Sequence, residues 1–455
     1  MALQNFSRRI FLQVAGLVMF FLSFGEIWPS RSSATEKGGG TPNSGKDSSL
    51  PLGTSHHGAS NVYLVKGLSP EENVKRAIEL MGGIEEFVEP DDIVILKPNA
   101  QWWNHGTTNT NNMKGLIELI LARPGFHGEI IIAENHHYKD VDSRGWNTEE
   151  RNGDYNLNEL VNYFNENGHE NISKNHWVDG GQNPNPLEGD AAGGRVVRSV
   201  EEGDGYVWLA DKIYESPEGR RCMMTYPVFT SRYSGKKIDI MRGSLVNGEY
   251  VDNVKLVNFS CLNHHGRAFG VTASIKNLMG VTDMTCGFQG REPTGMYNMH
   301  FVGKMSRLYR AGVDLKYYGR KFGLGPGVGR KVMNRGYWHS QYTGGALGYW
   351  LKNVRMPDLN ILAAEYVGWG GRGRHGPYKR HQANCVACSV DPVALDYVGA
   401  KKILLEATPS SEKKYLSLNS PDRPPFKLFL EECHNQGVGN LSMERINIIE
   451  TVEHV

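Results

Sequence analysis

The sequence predicts an α/β fold, a mainly parallel sheet with helices on both faces plus irregular insertions. Three observations predict it. Short runs rich in Val, Ile and Leu recur at DIVILKPN (92–99), EIIIAEN (129–135), VKLVNFS (254–260) and DLNILAAEYVG (358–368). Runs that are apolar throughout, not alternating, belong to strands covered on both faces, as in parallel sheets. Segments with helical spacing separate them, which is how parallel strands are joined. Each of the four runs also ends in a polar cluster. In an open parallel sheet the carboxyl edge is where ligands bind.

The elements follow in order. NVYLV (61–65) reads as a first strand. Ser69-Pro70-Glu71-Glu72 then sets Ser at the N-cap, Pro at the first helical position and Glu at the third, opening a helix to about Met81. NNMKGLIELILA (111–122) is helical, and the preceding Thr107-Thr108-Asn109-Thr110-Asn111 must supply its cap. NLNELVNYFNENG (156–168) is a helix closing on glycine. Residues 170–250 are rich in Gly and Asn with weak strands at YVWLADKIY and KKIDIM, and read as an irregular insertion or an added sheet. TASIKNLMG (272–280) reads as a helix closed by Gly280. Residues 284–350 form a second irregular insertion. DPVALDYVGAKKILLE (391–406) is a helix with Asp391 at its cap, PFKLFLEECHNQG (425–437) is the last helix, and INIIETV a closing strand. Residues 61–455 thus read as a single large α/β domain without internal repeats.

The composition is that of a globular protein, with 39% hydrophobic and 22% charged residues. A net charge of +1 offers no general attraction for nucleic acid, which is not expected as a partner. Six cysteines over 455 residues are too sparse for a disulfide scaffold. Cys385 and Cys388 lie three apart in the strand CVACSV, where such positions face opposite sides, so a zinc or iron–sulfur knuckle is not expected there. An oxidised pair elsewhere stays open.

At the N-terminus, Ser7-Arg8-Arg9 precedes the apolar run IFLQVAGLVMFFLSFG, with small residues following at Ser32 and Ala34. This order describes an export signal over 1–34. The paired arginines followed by Ile-Phe-Leu resemble the twin-arginine type, a receptor-read address. That resemblance implies the twin-arginine translocation machinery as a partner, contact with a membrane only during export, and a periplasmic or other extracytoplasmic location. An uncleaved anchor is the alternative, although the apolar run is short for a span. Residues 35–60 are rich in Gly, Ser and Pro and read as a flexible linker, with His56 and His57 incidental to it.

The polar clusters compose one candidate site. Pro98 holds Lys97 extended and aims it at the sheet edge, with the Asn99 amide beside it. Thr108 and Asn109 precede a helix N-terminus, where groups not used for capping suit an anion. Glu134 closes a buried strand, either paired with Lys97 or Lys276 or acting as acid, base or metal ligand. His264 and His265 are adjacent, so only one of them serves as ligand or general base. Lys276 and Asn277 sit early in the next helix, whose dipole favours anions. Arg372, Arg374 and His375 lie in GWGGRGRHGP, a glycine-rich loop without a P-loop or dinucleotide fingerprint. Asp391 is explained as a cap. Asp396 is not, and joins the ligand-binding residues. The expected occupant is a small anionic ligand or a cofactor of unknown identity, with Glu134, His264 and His265 as catalytic groups and metal binding left open. The rival is a non-catalytic docking protein using the basic stretch 304–335, where nine Lys and Arg face only Asp314. No serine-hydrolase elbow, zinc-protease helix or ferredoxin cysteine run occurs.

ILKPN, the TTN segment, IIIAEN, HHGRAFGVTASIKNLMG, the glycine loop and SVDPVALDYVGAKKIL occur in the order of the family called domain of unknown function 362, which the chain resembles over roughly 90–405. Many members carry a ferredoxin module. This chain lacks its cysteines, so no iron–sulfur cluster is expected. It also departs from the family at SCLNHH, where a lysine-rich run is usual, and at Ala363 or Ala364, where an aspartate is usual. A histidine, a glycine-bearing turn and then a lysine are, in addition, similar to the core motif of the nickel-pincer lactate racemase family. That likeness implies Lys276 as a cofactor tether and His264 or His265 as base or nickel ligand.

Overall fold

The computed structural model describes residues 58–100, 106–135, 151–178, 191–217, 219–287, 293, 295–300, 338–371 and 379–453, all within the compact unit Leu50–Val455. The expected signal, most of the linker, the basic stretch 304–335 and the loop bearing Arg372, Arg374 and His375 lie outside the described residues.

The chain opens with β1 (Ser60–Lys66), which takes in the last residue expected in the linker, and α1 (Pro70–Leu80). The Ser69–Glu72 capping box is formed in both directions, which satisfies orphan amides at the start of α1. β2 (Ile93–Lys97), α2 (Thr110–Ala122) and β3 (Glu129–Asn135) follow. Asn109 caps α2, its Oδ1 accepting from the amides of Asn111 and Asn112 at 2.9 and 3.1 Å. Next come α3 (Leu157–Glu166), β4 (Ile172–Val178) and β5 (Ala191–Gly193). β4 belongs to the main sheet, so the insertion expected from about 170 begins later. It is an added sheet of six strands: β6 (Val196–Val197), β7 (Gly205–Glu215), β8 (Arg221–Thr230), β9 (Lys237–Asp239), β10 (Gly243–Val246) and β11 (Glu249–Val251).

β12 (Val254–Gly266) runs six residues beyond VKLVNFS and carries both histidines on the strand itself. β13 (Gly270–Thr272) turns back to pair with its end. This pairing takes residues from the expected helix, leaving α4 (Ser274–Asn277) and a single 3-10 turn, Leu278–Gly280. α5 (Trp338–Asn353) lies largely inside the stretch that reads as irregular. Its glycines hid it from sequence, yet they have a packing role. A Cβ at Gly344 would stand 2.1 Å from the Phe429 carbonyl oxygen, and one at Gly348 2.6 Å from that of Cys433. β14 (Leu359–Gly370), β15 (Lys379–Ser389), α6 (Pro392–Gly399), α7 (Lys413–Leu418), α8 (Phe426–His434) and β16 (Ile446–Val452) complete the order.

The larger sheet has the order β16-β1-β15-β14-β12-β2-β3-β4-β5, with β13 off the path on β12. From β14 to β5 every neighbouring pair is parallel. β15 runs antiparallel between β14 and β1. The fold is therefore α/β with a largely parallel sheet. One face is covered by α1, α2 and α3 through residues such as Val74, Ile117 and Phe164. The other is covered by α5, α6, α8 and the second sheet, through Trp350, Val398, Phe429 and the Trp177–Phe229 ring pair. Cys385 packs into one of these cores and Cys388 into the other, as alternation along β15 requires.

Candidate functional site

Lys97, at the carboxyl end of β2, is wholly buried, so its charge must be met inside the protein. Its Nζ donates to Glu134 Oε1 at 2.7 Å, to the Pro98 carbonyl at 2.7 Å and to Asn277 Oδ1 at 2.8 Å. Three donors meet three acceptors, which is the full capacity of an ammonium. Glu134 comes from the neighbouring β3, and its Oε2 accepts the Ala100 amide at 2.5 Å. Burial drives the Lys97 pKa down, and the Glu134 carboxylate opposes that shift.

Asn258 of β12 stands in register with Lys97 on one side and Asn360 of β14 on the other. Together they extend the polar row across three strands. Asn258 Nδ2 donates to Asn360 Oδ1 at 2.9 Å and to the Ser274 carbonyl at 2.9 Å. Asn277 Nδ2 donates to Asn258 Oδ1 at 2.8 Å and to the Lys97 carbonyl at 3.2 Å. Asn135 Nδ2 holds the carbonyls of Met279 and Thr282 at 3.2 and 2.6 Å. Gly280 lies directly on the ion pair, with no room for a side chain. The turn 274–280 is thereby clamped to the sheet along its length.

Lys276 points elsewhere. Its Nζ lies 4.8 Å from the centre of the Phe269 ring and 3.3 Å from Met279 Sδ. Around the same ring stand His265 at 5.0 Å, His300 at 5.3 Å and His339 of α5 at 4.8 Å between centroids. His265 Nδ1 is hydrogen-bonded to Thr272 Oγ1. His339 Nε2 meets the His300 carbonyl. Burial lowers the His339 pKa to about 4, with the Lys276 charge acting in the same direction, so its imidazole is neutral at pH 7. A cation over an aromatic face, beside a neutral imidazole and a second hydrogen-bonded one, can hold an anion and exchange a proton with it.

The structure divides the remaining sequence candidates. Lys97, Glu134 and Asn277 form one cluster, and His265 and Lys276 a second. His264 belongs to neither. Its Nε2 accepts the Gly266 amide at 3.1 Å, which puts the proton on Nδ1, donated to Asn419 Oδ1 at 2.6 Å. Its ring packs edge-on to Tyr415 at 5.0 Å. Asn99 and Thr108 clasp one another: the Asn99 amide donates to Thr108 Oγ1 at 2.8 Å, and Thr108 Oγ1 donates to the Phe259 carbonyl at 2.8 Å. Asn109 caps α2. Asp396 is fully buried and accepts the amides of Ser274 and Ile275 at 2.7 and 3.0 Å. Arg372, Arg374 and His375 lie outside the described residues.

Among the described residues no three His, Cys, Asp or Glu side chains are arranged to hold a metal ion, and His264 is turned to Asn419. Phe269, His300, His339, Asn258 and Asn360 escaped the sequence reading. Only the two asparagines left a signal, as polar residues interrupting VKLVNFS and DLNILAA. Glu365, near the carboxyl end of β14, is another buried carboxyl. Burial raises its pKa, and its Oε1 accepts from Gln382 at 3.4 Å.

The family described as Domain of unknown function (DUF362) matches residues 229–401. Over those residues the chain is similar to that family. The DUF362 match includes His265, Phe269, Lys276, Asn258, Asn360 and Asp396, whereas Lys97 and Glu134 precede it. The ILKPN and IIIAEN blocks thus stand outside the matched span. Comparison with curated proteins and with solved structures returned no match.

Proposed function

We propose that the protein is an enzyme that holds a small anionic ligand or cofactor beside Lys276, with His265 as the proton-handling group. One observation carries the reading. Of the three polar side chains in α4, those of Ser274 and Asn277 are bound into the sheet-side network, while Lys276 is turned the other way, toward Phe269 and three histidines. A turn clamped so fully on one face holds the opposite side chain in a defined direction. The Lys276 ammonium would offset the charge of the ligand, and neutral His339, whose Nε2 proton goes to the His300 carbonyl, would offer Nδ1 as an acceptor without adding charge. His265, positioned by Thr272, would take up and return a proton. The Lys97–Glu134 pair acts in this reading as the buried anchor of the turn.

The test is native mass spectrometry on protein purified after export, followed by turnover assays on whatever small anion is retained. Lys276→Ala should lose the bound species, and His265→Gln should keep it while losing turnover. Full retention by Lys276→Ala would sink the reading. We infer further that the N-terminal segment directs twin-arginine export, supported by Arg8-Arg9 and the apolar run after them. Replacing both arginines with lysine should leave the precursor in the cytoplasm, and unchanged export would refute this.

A further inference from the structure

Resting on the Lys276 reading, we infer that Asp396 is the positioning residue of the site: pinned to the amides of Ser274 and Ile275, its carboxyl group sets the direction in which α4 presents Lys276. A helix of four residues does not sustain itself, because nucleation costs more than so few hydrogen bonds return. Its leading amides have no partners within the helix. Ala273, the residue at its N-cap, supplies no side-chain acceptor. Asp396 Oδ1 and Oδ2 fill that role from α6, across 122 and 121 positions of sequence.

Nothing in α6 needs this carboxyl group. The N-cap of α6 is Asp391, whose Oδ1 accepts the amides of Val393 and Ala394 at 2.8 and 3.0 Å. Asp396 lies within the helix and is fully buried. Burial pushes its pKa up to about 8, with the two amides pulling the other way. A polar group buried at such cost serves what it touches. Beyond Asp396 the turn is held on its sheet side, at Ser274 by Asn258 and Asn360 and from Asn277 onward by the Lys97 and Asn258 contacts and by Asn135 on the Met279 carbonyl. With the Asp396 bonds removed, the Ser274 and Ile275 amides lose their acceptors, and the turn keeps only its sheet-side hold and can pivot about it. Lys276, directed away from that sheet-side hold, then swings off Phe269.

The experiment follows the side-chain signals of Lys276 by NMR in full-length exported protein made with isotope-labelled lysine. A phenyl ring 4.8 Å from Nζ displaces those signals from the values of an exposed lysine. Lys276→Arg assigns them, and Phe269→Leu shows the displacement to be the ring's. Asp396→Asn, which retains a single acceptor oxygen, should lose most of the displacement. Ser274→Pro removes one of the same hydrogen bonds from the opposite side, at a first helical position that tolerates proline. It should behave alike and replaces Asp396→Asn should that variant not fold. Ser274→Ala keeps the amide and should leave the displacement intact. Survival of the displacement in folded Asp396→Asn and Ser274→Pro would overturn the positioning role. Titration with inorganic phosphate tests the underlying reading separately: the wild-type Lys276 signal should move. If it stays still, the anion site fails even where the variants behave as expected.

Discussion

Gly280→Ala probes the anchor beneath the site. An alanine Cβ there would stand 2.4 Å from both Glu134 Oε1 and Lys97 Nζ, and 2.7 Å from Lys97 Cε. Ordinary contact begins near 3.4 Å, so each charged head must withdraw by about 1 Å. The bonds it would stretch are 2.7 to 2.8 Å long, and neither head has water to retreat into. Gly280 is not in the left-handed backbone region, so space alone sets the effect. Breaking a buried ion pair costs about 3–5 kcal/mol, and Gly280→Ala should destabilise the protein by about that much in equilibrium urea unfolding. In a Lys97→Met/Glu134→Gln background, the same substitution should cost only the about 1–3 kcal/mol of ordinary overpacking. A loss below about 1 kcal/mol in the wild-type background, or equal losses in both backgrounds, would refute the sealed-pair account.

Three further outcomes follow from the same structure. Burial raises the Asp396 pKa from the usual 3.8 to about 8, so the folded state binds this proton more tightly than the unfolded one. Its contribution is therefore fullest below about pH 4, declines as pH rises toward 8 and is level above. Asp396→Asn should flatten the fall in melting temperature across that window, and parallel profiles would contradict it. Burial pushes the Cys385 thiol up to about 12 and the Cys388 thiol higher still, so neither should react with an aromatic disulfide reagent until the protein unfolds. Rapid labelling of either in the native state, read by peptide mass, would show the strand environment to be wrong. Ser69→Ala removes the α1 capping box and should cost about 1 kcal/mol in thermal unfolding, with no change in the Lys276 signals.

Local pattern alone determined much of this protein. The apolar runs at 92–99, 129–135 and 358–368 became β2, β3 and β14, because strands buried on both faces admit little else. Ser69, Asn109, Asn156 and Asp391 act as caps within a few residues of the amides they serve, and such short-range chemistry is visible in sequence. That Lys97, Glu134, His265 and Lys276 reach one sheet edge followed from the same pattern. Their grouping did not. Whether Lys276 meets Glu134 or Phe269 depends on the pairing of β13 with β12, which shortens α4 to one turn. It depends also on Asp396, Asn135 and Asn258, which hold that turn from other elements. His300 and His339 join the site only because α5 packs beside it, its close approach to α8 allowed by Gly344 and Gly348. Side-chain direction at a sheet edge is set by contacts between residues more than a hundred positions apart, and those distances close only in the folded chain.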